Sequence, residues 1–400
     1  MSDRLVLYDD ARARAFEPFA LTRPAGELRA GAELVRRRWV RSAGMDAASF
    51  VGAAHLAEFQ EFDAPAAART AIAVDTVLAN ARFAPALDAT LGEAQHWRCG
   101  GRVVAVRLAA PLALTRLDGG VLELEALATG GGADLRGWWL DDVWDFIRLL
   151  QAMLDADIRV LGPAEGDAPP SHVTVLGEHE AFVARGAYIE PHVVADTMAG
   201  PILVRRGARV HAFTRLVGPC VVGEGAIVTG GTVSGCSLGE QTRVRGELSA
   251  SIVTGHANKA HDGFVGHSVI GRWANLGAGT ITSNLKNSYG EVSLWTPGGT
   301  RRTGLQFLGS LIGDHVKTGI GTRLTTGCVV GAGANVFGNL MPPKFVPAFA
   351  WGDAAPFGEY VLEKFLEVAE RAMRRRDVVL TEGARRALAA AWARRSEFTP

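Results

Sequence analysis

The 400-residue sequence predicts an α/β domain, then a parallel β-helix, then a helical tail. Three observations predict this order. Residues 1–165 alternate short apolar runs with helical patterns. Residues 171–345 repeat with a period of six. Residues 346–400 lose that period and read as helices. Alternating strands and helices point to a mostly parallel sheet. A six-residue repeat with small residues at the corners points to short strands stacked coil on coil.

In the first segment, Leu5 to Tyr8 is a short apolar strand that runs into Asp9 and Asp10. Gly26 to Trp39 has helical spacing, with Leu28, Leu34 and Val35 on one side and arginines on the other. Ile72 to Val74 and Val103 to Leu108 read as further strands. Val143 to Met153 reads as an amphipathic helix, because Val143, Phe146, Ile147, Leu150 and Leu154 share a face. Gly162 to Pro170 is rich in Gly, Pro and acidic residues and is the expected linker.

The second segment is read by counting in sixes from Val204. The count meets Val210, Leu216, Val222 and Val228, then Ile252, Phe264, Ile270 and Leu276. It resumes in phase at Ile312, Thr318, Leu324, Val330 and Val336, so the stretch after Thr282 is expected to be a loop inserted without loss of register. Ser234, Glu240, Gly246, Asn258 and Thr282 fall on the count but are polar or Gly, which weakens the pattern in the middle. Glycine often follows the apolar position, as at Gly223, Gly271, Gly277 and Gly331, where a corner tolerates positive φ.

Met341-Pro-Pro343 is expected to end the repeat, since proline cannot donate to a strand ladder. Pro356 to Arg376 reads as a helix. A second helix starts after Thr381, a good N-cap, and runs to Arg395. Both are expected to pack on the β-helix or on a neighbouring subunit.

Composition narrows the function classes. Lys and Arg total 42 and Asp and Glu total 42, so no global charge draws the chain to nucleic acid or to an anionic membrane. Cys99, Cys220, Cys236 and Cys328 lack CxxC spacing and read as reduced thiols. There is no signal-like start and no run of membrane-spanning length, so a soluble, cytoplasmic protein is expected.

The polar residues set into the repeat carry the chemistry. Gly255 to His267 and Ser283 to Gly290, with Asn275-Leu-Gly-Ala-Gly-Thr280 between them, resemble the acetyltransferase half of a known bacterial family. That family is the bifunctional N-acetylglucosamine-1-phosphate uridyltransferase/glucosamine-1-phosphate acetyltransferase. Leu7-Tyr-Asp-Asp10 and Pro18 to Gly31 are similar to a divergent branch of it, described as sugar nucleotidyltransferases with a hexapeptide-repeat acyltransferase domain. The resemblance implies a left-handed β-helix, a homotrimer, and an N-terminal nucleotidyltransferase-like α/β domain. It implies acetyl transfer from acetyl-CoA to an amino-sugar 1-phosphate or related sugar phosphate, in nucleotide-sugar and cell-envelope precursor synthesis.

Carried over by position, His261 matches the catalytic base. A neutral-range imidazole suits deprotonation of an attacking amine or hydroxyl. Asn275 and Asn284 match sugar-contacting asparagines, whose amides both donate and accept. Lys259, Arg245, Lys286 and Tyr289 are further substrate-binding candidates, and Gly277, Ala278 and Gly279 belong to the coenzyme segment. Four positions depart from the family: Phe264 and Leu285 replace tyrosines, Ser249 replaces a phosphate-contacting lysine, and Ile320 replaces a serine near the coenzyme.

The N-terminal segment departs further. The Gly-rich phosphate loop of active nucleotidyltransferases is missing after Tyr8, and two carboxylates stand there instead. Arg23 and Arg29 are the candidates for holding a nucleotide or nucleotide sugar. Arg36-Arg-Arg38 reads as a solvated helix face, and Asp75, after a strand-like run, as a ligand for Mg2+. Two other readings are weighed. His256, His261 and His267 could form a zinc site of the γ-carbonic-anhydrase kind, or the chain could be a non-catalytic, nucleotide-sugar-binding trimeric scaffold.

Overall fold

A computed structural model describes residues 4–397. The chain divides into two compact units. One comprises residues up to Val143 together with Leu380–Ala393; the other comprises Trp144–Val379 and the residues from Arg394 on.

The first unit is built on a six-stranded mixed sheet. Arg4–Tyr8 lies between Ala47–Val51 and Thr76–Asn80, parallel to both. Arg102–Arg107 then pairs antiparallel with Thr76–Asn80 and with His96–Cys99, which pairs parallel with Gly132–Asp134, so the expected mostly parallel sheet is parallel at both edges and interrupted in the middle by the antiparallel Arg102–Arg107. The expected helix over Gly26 to Trp39 is shorter and later. Arg29–Ala30 and Glu33–Leu34 form a tight antiparallel pair, and the helix spans Val35–Ala43. Of Arg36, Arg37 and Arg38, only Arg37 is solvated. Arg38 is fully buried and donates to the carbonyls of Ala30 and Pro85, and Arg36 is buried against Glu27. Helical spacing alone does not separate a solvated arginine from one that caps buried carbonyls.

The second unit is a parallel β-solenoid. One face is a ten-stranded sheet whose successive strands include Ile202–Val204, Cys220–Val222, Ser237–Leu238, Ile252–Val253, Val269–Ile270 and Leu311–Ile312. A second face carries Val210, Val228, Val244 and Asn258–Lys259, and a third carries Leu216, Val233, Leu248 and Val265. The coil from Ile202 to its partner Cys220 is 18 residues, three hexads. The next three coils are 16, 15 and 17 residues. They are short by two, three and one residues, which together make one hexad, so Ile270 returns to the original phase.

This explains the polar breaks in the six-residue count. The inward residues here are Val233, Leu238, Val244, Leu248, Val253 and Val265, all buried. Ser234, Glu240, Gly246 and Asn258 lie off the axis. From Val269 to Leu311 the coil takes 42 residues, four hexads more than 18, and the extra chain holds an antiparallel hairpin, Ser293–Thr296 with Gly299–Arg302. The in-phase insertion is therefore present as expected.

Three boundaries differ from the reading of the sequence. Gly162 lies inside the helix Leu150–Glu165, which packs on Ala181–Ala184, and Gly166–Asp167 joins the solenoid sheet, so the stretch from Gly162 is no linker. Pro342 and Pro343 do not end the solenoid: Phe345–Val346 and Ala350–Trp351 continue it, and the prolines sit in the loop before them. The tail helices belong to different units. Leu362–Arg374 packs in the solenoid unit, with Phe365 against His315 and Phe349. Glu382–Ala393 joins the first unit, where Arg386 pairs with Glu58. Its N-cap is Thr381 as expected, the hydroxyl accepting from the Ala384 N–H at 3.2 Å.

The slipped phase is testable at Leu248, which the six-residue count places off the axis and the structure places on it. Leu248→Ala is expected to destabilise the solenoid by about 2–5 kcal/mol. Glu247→Ala, on the exposed neighbour, should stay within about 0.5 kcal/mol. Denaturant unfolding of the two variants measures the difference.

Candidate functional site

One corner of the solenoid gathers half of the candidate residues. Residues 260–263 turn from the second face to the third, and 277–280 turn one coil later directly above them. The Gly279 N–H donates to the Asp262 carbonyl at 3.2 Å, which seats the Gly277–Gly279 turn over the His261 turn. Gly279 has φ +70° and stands against the Gly321 backbone of the following coil, so a side chain would be strained there. The Gly321 N–H in turn donates to the Ala278 carbonyl at 2.8 Å. His261 is exposed at this corner. Arg245, from the coil below, pairs with Asp262 at 3.0 Å and donates to the Thr229 carbonyl at 2.8 Å. At the same corner Ile320, in the position of the family's serine, is 86% exposed.

Lys259 is not a surface contact. It occupies an inward position of the second face and is only 1% exposed. Its ammonium donates to the carbonyl of His261 and, at 3.4 Å, to that of Arg245. It therefore staples the His261 turn from inside. Burial pushes its pKa down to about 8, against a smaller opposing effect from Asp262. The sequence suggested a substrate contact because a lysine beside a catalytic phrase reads as exposed; the shortened coils turn it inward.

The remaining candidates lie elsewhere. Asn275 is on the second face, accepting from the Asn258 amide at 3.1 Å, beside a cavity of about 240 Å³ that the tail helix Leu362–Arg374 helps to line. Asn284 lies past the third face, where its amide meets the Nδ1 of His267 at 2.9 Å. Lys286 donates to the Glu291 carbonyl at 2.9 Å, and Tyr289 is exposed on the inserted loop. A cavity of about 640 Å³ runs beside that loop, lined by Lys286 with Arg323 and Lys344. One chain thus brings together His261, Lys259, Arg245 and Gly277–Gly279, and leaves Asn275, Asn284, Lys286 and Tyr289 apart from them.

The three histidines of the zinc reading occupy three different corners of one coil. His256 is buried against Trp273, with Arg272 at 3.2 Å from its Nδ1, and His267 stacks on Phe307. Among the described residues no group of three His, Cys, Asp or Glu is placed to hold a metal ion.

In the first unit the expected nucleotide arginines are buried. Arg23 pairs with Glu61 at 2.8 Å and Arg29 donates to the Ala32 carbonyl at 2.7 Å. Asp75 precedes the strand Thr76–Asn80 rather than following one. Because that strand runs parallel to Arg4–Tyr8, Asp75 is at the edge opposite Asp9 and Asp10. It is exposed, and the residues around it do not fit a resident Mg2+. The carboxyl edge of the parallel strands, where open α/β sheets usually bind ligands, holds a different cluster that the sequence reading missed. Asp10 receives Arg82 at 2.7 Å and Asn80 at 3.0 Å, and Arg82 also reaches Asp141 at 2.8 Å. Asp9 is buried beside it. Its Oδ2 accepts from the Ala25 N–H at 3.2 Å, while Oδ1 is enclosed and has no hydrogen-bond partner among the described residues. Desolvation pushes its pKa up to about 7. Asn80 and Arg82 lie far from Asp9 and Asp10 in sequence, and only the parallel register unites them.

The fold and the site define a class: a nucleotidyltransferase-like α/β unit followed by a β-solenoid of the acyltransferase kind. Comparison with known proteins agrees. Residues 5–163 match the family model described as sugar nucleotidyl transferase. The chain is 35% identical over 91 residues to a bifunctional sugar-1-phosphate nucleotidylyltransferase/acetyltransferase of Sulfurisphaera tokodaii, 23% of each chain. It is 36% identical over 98 residues to the bifunctional protein GlmU of Methanococcus vannielii, covering 24% of this chain and 23% of that one. The match to GlmU of Micrococcus luteus is 32% over 172 residues, 42% of this chain and 30% of the other. The matched stretches span less than a third of the length of these relatives. Residues 5–163 are thus similar to sugar nucleotidyl transferases, and further stretches of the chain are similar to parts of these bifunctional proteins.

The buried Asp9 gives a signed pH dependence. Its folded pKa lies above its unfolded value, so the folded unit binds more protons between about pH 4 and 7. The stability this group contributes is present in acid and is lost as pH rises through about 7. Asp9→Asn should raise the melting temperature of the first unit at pH 8 and flatten that slope, as followed by thermal melts from pH 4.5 to 8. A variant with the wild-type slope would remove Asp9 as the cause.

Proposed function

We propose that the solenoid transfers an acetyl group from acetyl-CoA to an amino-sugar 1-phosphate or a related sugar phosphate. The observation that supports this best is the stacking of the exposed His261 turn directly under the Gly277–Gly279 turn. In this reading His261 takes the proton from the acceptor's amine or hydroxyl as that atom attacks the thioester carbonyl. The C–S bond breaks, the acetyl group stays on the acceptor, and coenzyme A leaves as the thiol. Lys259 holds the turn from within and so positions His261. Because Asn284, Lys286 and Tyr289 stand at another corner, they complete the site only across a subunit boundary. A homotrimer, in which one corner of each solenoid faces a neighbour, meets that need.

The first unit keeps the fold of a nucleotidyltransferase without its phosphate loop. A short 3-10 turn, Ala13–Ala15, follows Asp9 and Asp10, and the nearby Arg14 is committed to the carbonyls of Asp9 and Leu117 at 2.9 and 3.0 Å. Phosphoryl chemistry depends on positioning and charge neutralisation, so nucleotide-sugar binding with slow or absent nucleotidyl transfer is the reading for this unit. Arg23 and Arg29 would contact a nucleotide only on leaving Glu61 and the Ala32 carbonyl.

Thiol release from acetyl-CoA over a panel of amino-sugar 1-phosphates tests the solenoid. His261→Ala should lower the rate by about 100-fold or more and leave the melting temperature within a degree or two, since an exposed turn histidine adds little to stability. Wild-type rates in that variant would sink the assignment. Light scattering should give three chains per particle, and a monodisperse monomer would contradict the shared site. Brisk pyrophosphate release from UTP or dTTP with a sugar 1-phosphate would show the first unit to be a working nucleotidyltransferase.

A further inference from the structure

The cations around the cavity beside Asn275 have no role at the His261 corner. The cavity holds about 240 Å³ and lies between the second face of the solenoid and the helix Leu362–Arg374. Lys317, Arg371, Arg375 and Arg376 line it, together with Asn258 and Asn275. Among the described residues no carboxylate does. Arg371 has an exposed partner in Glu367 at 3.4 Å, outside the lining. Two of the other cations are held by neutral groups. Lys317 donates to the Trp273 carbonyl at 2.6 Å, and Arg376 donates to the Asn258 side-chain oxygen at 2.6 Å.

Two features mark the inner cations, Arg376 and Lys317, as short of anionic partners among the described residues. The Nε of Arg376 is enclosed and donates to no described group. Burial lowers the pKa of Arg376, and the charges of Arg243 and Arg375 lower it further; burial alone brings Lys317 down to about 8. A fold that gathers like charges around a small polar cavity, with a donor left over, is complementary to an anion. The size selects a small one, and the two asparagine amides beside it suit hydroxyl groups.

We propose that this cavity binds the phosphate of a phosphorylated sugar, with Lys317, Arg375 and Arg376 on the phosphate and the Asn258–Asn275 pair toward the sugar. The sugar rests on the acetyl-transfer reading; the phosphate does not. Nothing in the phrase Asn275 to Thr280 points to these cations. Lys317 follows the inserted loop and the arginines come from the tail helix, so they meet only in the fold.

Calorimetric titration of the full chain tests the proposal. Glucosamine 1-phosphate should bind, glucosamine should not, and inorganic phosphate should bind more weakly. Arg376→Gln and Lys317→Gln should each weaken glucosamine 1-phosphate about tenfold or more, as loss of a charge-assisted hydrogen bond does. Arg375→Gln changes an exposed residue and tests the cavity without risk to the core; it should weaken binding several-fold. His261→Ala should bind like the wild type. Binding by the wild type without thiol release would refute acetyl transfer and leave the site standing. No binding, or equal binding by all three cation variants, would refute the site. Inorganic phosphate binding as tightly as the sugar phosphate would remove the sugar. Coenzyme A binding that is lost both in Arg376→Gln and in the 3′-dephospho form would reassign the cavity to the coenzyme.

Discussion

A solenoid stands or falls on what each coil delivers to its axis. A coil cannot bury its apolar face alone, so its inward residues must meet those of the coils above and below. The chain meets this constraint with coils of unequal length. Three successive coils lose residues from their turns, and the losses sum to one hexad, so Ile270 and Ile312 pair on the same face as Ile202 and Cys220. A loss that did not sum to a hexad would have turned every later strand by a fraction of a coil. The same economy of residues brings Lys259 inward, where a buried ammonium must find acceptors. It finds the carbonyls of the turn that carries His261. The geometry of the candidate base is thus tied to the packing of the core.

The period of six was legible because inward burial imposes it over many coils, and the phase across the inserted hairpin was legible for the same reason. The polar interruptions were misread because a fixed count cannot see a turn shorten by a residue. Side-chain destiny was harder still. Arg36, Arg38, Arg23 and Arg29 look alike in sequence to arginines that face solvent or phosphate, yet each ends on a buried carboxylate or carbonyl. Asp75 was placed after a strand that in fact begins one residue later, which moved it to the wrong edge of the sheet. His261 and the glycine corner were found because both lie in one short phrase. Arg82, Lys317 and Arg376 were not, because their partners are distant in sequence.

The corners of the coil keep the candidate residues in groups that one chain does not bring together. A base at one corner and amide donors at another do not act on one substrate unless a second surface supplies what is missing. The flat faces of a β-solenoid suit such pairing. The exposed Ile320 lies at the His261 corner, where an apolar side chain would be covered by a neighbour or by the coenzyme's own chain. Its presence in place of a serine removes a hydroxyl from that corner and adds an apolar surface, a change that alters contact rather than acid–base chemistry.

Charge follows the same logic of local balance. The chain is neutral overall, with 42 basic and 42 acidic residues, yet the charge cluster at the sheet edge and the one around Asn275 differ in kind. At the sheet edge of the first unit, Asp10, Arg82 and Asp141 satisfy one another. Beside them Asp9 keeps an enclosed oxygen with no hydrogen-bond partner among the described residues, and burial pushes its pKa up to about 7. Around Asn275 no such relief exists for arginine, whose guanidinium does not deprotonate in the working range. A carboxyl can answer burial by becoming neutral, whereas the enclosed Nε of Arg376 cannot shed its charge in the working range and is complementary to an anion. For that reason the cation-lined cavity, rather than the acidic edge of the sheet, is where the fold itself asks for a ligand.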